Sequence, residues 1–187
     1  MTALITLSDY KSYKKITKTD SDEELNGIIA SVSSLIKTYC GHSFIDYYSI
    51  PKVEIFNVNE SQHALLLNEW PVKNVSSVEY RDSYDKPYEV VTPSDYYVDT
   101  SIDTVFKHSG YWPAGFGSVK ITYTAGYATT PEDIKIAALD LVHHYFKEEY
   151  KERKTIGAAS IDTGVSKMAS GKWPSHVARV LDMYKNG

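Results

Sequence analysis

From Val119 to Phe146 the chain reads VKITYTAGYATTPEDIKIAALDLVHHYF, and this run constrains the fold more than any other. Val119, Ile121 and Tyr123 alternate with Lys120, Thr122 and Thr124, the two-residue period of a strand with one buried face. Gly126 supplies the residue that turns with positive φ at no steric cost. Thr130 then has the chemistry of a helix N-cap, and Pro131 suits the first helical position because its missing N–H would be unpaired there. Glu132 and Asp133 place negative charge at the positive end of the helix dipole. Ile134, Ala137, Ala138, Leu141, Val142, Tyr145 and Phe146 fall on one helical face. The segment packs two elements back to back and carries no catalytic constellation, which points to an assembly part.

A second helix is as well marked. Asp20 or Ser21 caps it, Asp22, Glu23 and Glu24 fill its first turn, and Gly41 stops it at a left-handed position. Leu25, Ile28, Ile29, Val32, Ile36, Tyr39 and Cys40 form its apolar stripe. Leu7–Ile16 reads as a short helix before it, with Ser8 as cap. Between residues 45 and 127 the pattern changes to short strands at Val53–Val58, Ala64–Asn68, Val75–Arg81, Tyr88–Val91, Tyr96–Asp99, Thr104–Lys107 and Ser118–Thr124, separated by Pro, Asp, Asn, Ser and Gly. After a long helix over 131–152 comes a glycine-bearing arm at 155–171, then a last helix after Pro174 with Val177, Val180, Leu181 and Tyr184 at helical spacing. The expected class is α+β: a helical bundle core from residues 1–44 and 128–152, an inserted antiparallel β-rich lobe at 45–127, and a flexible arm with a C-terminal helix at 153–187.

At 187 residues the chain buries a sizeable core without staples, since ~70% of the unfolded surface is removed at this size. Cys40 is the only cysteine, so no intramolecular disulfide forms. The N-terminus lacks the charged and apolar regions of a signal peptide, and no apolar run approaches the ~20 residues of a membrane span. The net charge of −4 is unevenly spread. Residues 1–20 hold four lysines against Asp9 and Asp20, and residues 151–187 hold seven basic against three acidic residues. The body between carries nine basic and nineteen acidic residues, a balance of −10. Solvated surface accounts for such runs, and so do basic tails that grip a neighbour or a phosphate.

Searches for chemistry return little. Gly115-Phe116-Gly117-Ser118 lacks the Gly-Lys-Ser/Thr ending of a phosphate loop. His144 and Glu148 lie four apart beside His143 and Glu149, but two ligands do not make a metal site. Asp82, Asp85, Asp95, Asp99 and Asp103 lack the spacing of a calcium loop and suit turns. No nucleophile has a base in local register, which leaves nothing for a hydrolase or nuclease. Lys11, Lys14, Lys15 and Lys18 interleave with Tyr10 and Tyr13, but a pI near 5.9 argues against tight DNA binding. Sixteen tyrosines, with Trp70 and Trp112, leave one alternative: a tyrosine-rich β module that stacks on carbohydrate or a host surface.

The order of parts resembles the head–tail connector proteins of tailed bacteriophages, the adaptor or head-completion proteins of the siphophage neck. Four pieces carry the resemblance: DEELNGIIASVSSLIKTYCGHSF (Asp22–Phe44); LLLNEWPVKNVSSVEY (Leu65–Tyr80), an apolar strand, a Trp-Pro-Val corner and a Val-x-x-Val strand; the Val119–Phe146 run; and a glycine-bearing arm followed by Pro174 and a short helix. Residues 81–117 are longer than compact members of that family require. The resemblance implies a virion structural protein made in the host bacterial cytoplasm. It implies a homo-oligomeric ring, twelve-fold to match a portal, that extends the DNA channel between capsid and tail. Its partners are then the portal protein, a stopper or tail-terminator protein, further copies of itself, and passing double-stranded DNA without sequence specificity. Enzyme activity, metal, cofactor and membrane are not implied. Within this frame Trp173, Pro174, Val177, Val180, Leu181 and Tyr184 are the candidate portal or ring interface, with Lys151, Arg153 and Lys154 as candidate basic contacts.

Overall fold

The computed structural model describes residues 2–147 and 173–185. In chain order these form α1 (Leu7–Lys14), α2 (Asp22–Cys40), β1 (Lys52–Val58), β2 (Ala64–Leu66), β3 (Val72–Tyr80), β4 (Glu89–Val90), a 3₁₀ turn at Pro93–Asp95, β5 (Tyr96–Asp99), β6 (Thr104–Lys107), β7 (Gly115–Ala125), α3 (Glu132–Phe146) and α4 (Ser175–Asp182). The class is α+β, with antiparallel sheets. The chain divides into two units, one of Met1–His42 with Thr130–Gly187, the other Ser43–Thr129.

The first unit packs its four helices on one another. The α2 stripe supplies Leu25, Ile29, Val32, Ile36 and Cys40 to its core, and α3 supplies Ile134, Ala137, Ala138, Leu141 and Val142. Gly41 ends α2 in the left-handed region at φ 66°, its N–H donating to the Lys37 carbonyl. The N-terminal strap is tied down by polar contacts: Leu4 N–H donates to Ser33 Oγ at 3.0 Å, and Lys37 Nζ donates to the Thr2 carbonyl at 2.8 Å.

Two caps differ from expectation. Thr6, not Ser8, caps α1: its hydroxyl accepts from Asp9 N–H at 3.1 Å while the Asp9 carboxylate accepts from Thr6 N–H at 2.8 Å, a reciprocal capping box. For α3 the cap is Pro131, and the Thr130 hydroxyl instead donates to the Leu4 carbonyl at 2.7 Å, fastening the strap.

The second unit holds a four-stranded sheet in the order β1-β7-β3-β4 and a three-stranded sheet in the order β2-β6-β5. Val78 pairs with Ile121 and Leu65 with Val105, so one face of each sheet is apolar. A shared cluster that includes Leu65, Val78, Val105, Trp112, Ile121 and Tyr123 fills the unit. Within it lies a polar knot. Tyr123 Oη donates to Glu54 at 2.7 Å and accepts from Glu69 N–H at 3.1 Å, while Ser43 Oγ donates to Glu69 at 2.8 Å. Burial, then the Glu54 carboxylate, push the Tyr123 hydroxyl well above the usual phenol range, so it stays a donor.

Candidate assembly interface

The residues singled out near the C-terminus are built on α4. Its start follows Pro174, whose fixed φ pre-sets the helical entry. Val177 and Leu181, one turn apart, are 0% exposed, and α4 packs on both α2 and α3. Polar latches flank this seam: Tyr39 Oη donates to Asp182 at 2.5 Å, Tyr184 Oη donates to Asp133 at 2.9 Å, and His176 Nε2 meets Asp140 at 3.2 Å. The Trp173 ring tilts against Tyr39 with centroids 4.5 Å apart. The structure therefore brings Trp173, Val177, Leu181 and Tyr184 together on the chain's own helical unit. Val180 and Pro174 stay half-buried, and Met183, which the stripe omits, is 66% exposed. The long helix expected over 131–152 ends at Phe146 with Lys147 as its C-cap, and Lys151, Arg153 and Lys154 lie outside the described residues, as does the arm at 155–171.

Glu148 and Glu149 of the metal-like cluster lie outside the described residues, and the described members of the metal-like and sugar-like sets have structural contacts. His143 Nδ1 shares a hydrogen bond with Tyr10 Oη at 3.1 Å, and His144 is buried with its ring edge-on to Tyr145. Among the described residues no group of three His, Cys, Asp or Glu side chains is placed to hold an ion. Asp103 accepts from Val72 N–H at 2.6 Å and Asp99 from Ser101 N–H at 2.9 Å, as turn formers do. Trp112 is buried at 2% exposure with Nε1 donating to the His63 carbonyl at 3.1 Å. It is therefore not an exposed stacking platform. Trp70 is half-buried, edge-on to Tyr127.

One feature went unread in the sequence. The β3–β4 connection, residues 81–88, is clamped onto the first residues of β7. Arg81 Nε donates to the Gly117 carbonyl at 2.9 Å and Nη1 to the Tyr84 carbonyl at 2.9 Å. Its guanidinium carbon lies 4.4 Å from the Tyr84 ring centroid and 4.7 Å from that of Tyr88. Tyr88 Oη also donates to the Gly117 carbonyl, at 2.7 Å. Gly117 is needed there: φ is 58°, and a Cβ would come within 2.7 Å of Arg81 Nη2. The clamp presents Tyr84 at 78% and Phe116 at 81% exposure. A local signal existed, since Tyr84 and Tyr88 stand three and seven residues after Arg81, but the carbonyls that Arg81 also holds lie 35 and 36 residues away.

Comparison with known proteins bears on all of this. The head completion protein of Escherichia phage T5 is 21% identical over 182 residues, covering 97% of this chain and 98% of its own length. The fold is shared with chains in the neck of an empty gene transfer agent (GTA) particle computed with C6 symmetry, at TM-score 0.65 and 15% identity, covering 100% of this chain and 94% of that one. It is shared too with the neck of the native GTA particle computed with C12 symmetry, at TM-score 0.60 and 16% identity, covering 100% and 93%. The model of the head completion protein (HCP) family matches residues 3–187. The resemblance to head–tail connector proteins is borne out, and the chain belongs to the head completion protein family.

Proposed function

We propose that this protein is a structural, non-enzymatic adaptor of the virion neck that assembles as a ring of identical copies beneath the portal. In that place it extends the DNA channel and docks the next neck or tail protein. The observation that carries this reading is the family match across residues 3–187, reinforced by the fold shared with six-fold and twelve-fold GTA necks. In this reading the helical unit is the core of the fold and the strand-rich unit is its insertion. The acidic excess of the body suits a channel wall, because carboxylates repel the phosphates of passing DNA and let it slide.

The C-terminal helix takes part as a docked element. Val177 and Leu181 hold it to the bundle, while Trp173, Pro174, Val180 and Tyr184 border the surface offered to the portal or to the next copy. Lys151, Arg153 and Lys154 would supply basic contacts to a neighbour's acidic body.

Light scattering of the purified protein, alone and mixed with the portal protein, tests the proposal. A monomer that shifts to a ring-sized complex is the expected result. Absence of association across the accessible salt range sinks the portal-adaptor reading.

A further inference from the structure

A closed ring of identical subunits needs two different surfaces on one chain that fit each other. The helical unit holds one pair whose fit is visible side chain by side chain: α4 and the seam between α2 and α3. Val177 and Leu181 are fully buried there, and Cys40 Sγ lies 3.6 Å from the Leu181 carbonyl oxygen. At the rim His176 Nε2 meets Asp140 at 3.2 Å, and Tyr184 Oη donates to Asp133 at 2.9 Å. These two pairs also fix direction. The start of α4 lies beside the middle of α3 and its end beside the start of α3, so the two helices run antiparallel.

An antiparallel helix pair is closed by a connection of about 2–8 residues. From Asp140 to its Lys147 cap, α3 rises only about 10 Å. Residues 148–172 nevertheless stand between that cap and Trp173. A run of that length spans about 80–90 Å when fully extended. A folded unit of about a hundred residues, the size of the helical unit, has a radius of gyration of about 13 Å, so two in contact lie about 35 Å apart centre to centre. The connection is far longer than its own hairpin needs and long enough to reach the seam of a neighbour. Identical seams satisfy α4 equally, so exchange between copies keeps every contact named above and adds a link between chains. Among the described residues of α4 only Val177 and Leu181 are fully buried, so few contacts have to open before the exchange.

We infer that in the ring α4 of each copy leaves its own seam and docks on the α2–α3 seam of the next copy. The occupant of each seam is thus a second copy of this chain, and the fit is the one the single chain already displays. The inference rests on the ring proposed above and goes beyond it by naming the contact that joins neighbours.

Cross-linking the full chain that carries Asp140→Cys with His176→Cys tests it, with a short bismaleimide as the probe. The native thiol stays silent, because Cys40 is buried and burial pushes it up to about 12. In the free monomer the reagent should join positions 140 and 176 of one chain, giving a band of monomer mass and one cross-linked peptide. In rings assembled on the portal, the same variant should give a ladder of chain multiples on a denaturing gel, and each single variant none. Rings that show only within-chain links, or no links, overturn the inference and leave the ring reading standing. An equal ladder from the free monomer also overturns it, because chance encounters then explain the links. So does a free monomer that does not cross-link, since its seam is then not filled by α4. Failure of the wild-type chain to form rings on the portal defeats both readings. As a second readout, deletion of residues 155–171 leaves a connection that closes the pair within one chain and falls short of the next seam. The free variant should melt as the wild type does, while its ring yield falls about tenfold or more. A wild-type ring yield from that variant overturns the inference.

Discussion

Gly126→Ala is the substitution whose effect the structure fixes most tightly. Gly126 has φ 93°, and an added Cβ would sit 2.1 Å from the Phe44 carbonyl oxygen. That oxygen accepts from Tyr127 N–H at 2.8 Å, and Gly126 N–H donates to the Pro71 carbonyl at 2.9 Å. Holding alanine at this φ costs about 1–3 kcal/mol. Clearing the carbonyl disrupts the Tyr127 bond for about 1–3 kcal/mol more. Reduced freedom in the unfolded chain offsets about 0.4–1 kcal/mol. The net loss is about 3 kcal/mol, or about 6–12 °C in Tm for a chain of this length. Tryptophan fluorescence in urea is the assay, because Trp70 and Trp112 both lie in the strand-rich unit. Two alanine controls separate the terms. Gly110 has φ 71° with nothing within 4 Å of a Cβ, so Gly110→Ala should lose only about 1 kcal/mol of backbone strain. Gly27 lies in α2 with open space around it, so Gly27→Ala should gain about 0.5–1 kcal/mol. If Gly126→Ala proves no worse than Gly110→Ala, the close approach of the Phe44 carbonyl is not what selects glycine, and the reasoning fails.

Leu181→Ala should destabilise the helical unit by about 2–5 kcal/mol, read by far-UV circular dichroism during thermal melting, because the residue is fully buried. Met183→Ala, at an exposed position, should change the same melt by less than about 0.5 kcal/mol. Tyr123→Phe removes the donor to Glu54 and the acceptor of Glu69 N–H, so denaturant unfolding should show a loss of about 2–3 kcal/mol. Asp9 is held down to about 2 by the Thr6 hydroxyl, then by Lys135 and the Thr6 N–H. Its folded pKa lies below the unfolded value of ~3.9, so its contribution is full above about pH 5 and fades as pH falls toward about 2. Asp9→Asn should therefore flatten the acid limb of a Tm-against-pH curve while lowering Tm at neutral pH.

What the sequence made legible was periodic or local. Tyr96–Asp99 and Thr104–Lys107 are strands at the bounds their alternation suggested, and Gly41 ends α2 where a left-handed residue was needed. Other strands shifted by one to three residues at their ends, as with β7, which runs on to Ala125 and meets the turn directly. The Thr6 cap was also readable, since Thr6-x-x-Asp9 has capping-box spacing, but Ser8 carries the same hydroxyl chemistry two residues on. What stayed hidden depends on partners far along the chain. The Thr130 hydroxyl reaches Leu4, 126 positions away, and Arg81 reaches Gly117, 36 positions away. No window of sequence contains both ends of such a bond.

The C-terminal helix shows where pattern reading stops for a physical reason. Val177, Val180, Leu181 and Tyr184 recur at helical spacing, and that spacing says a helix has a face to keep dry. It says nothing about which surface covers the face, because a neighbour's apolar groove and the chain's own bundle satisfy the same hydrophobic demand. The structure covers Val177 and Leu181 with α2 and α3, and adds hydrogen bonds at the C-terminal end of α4, from Tyr39 to Asp182 and from Tyr184 to Asp133. With those two side chains buried in its own unit, α4 cannot offer its whole stripe to a partner unless it detaches. Detachment would expose both residues, at about 1.5–3 kcal/mol each, and break the latches besides. In the ring proposed above, an α4 docked on its own chain would therefore contribute only through what it leaves outside, such as the half-buried Val180 and the exposed Met183.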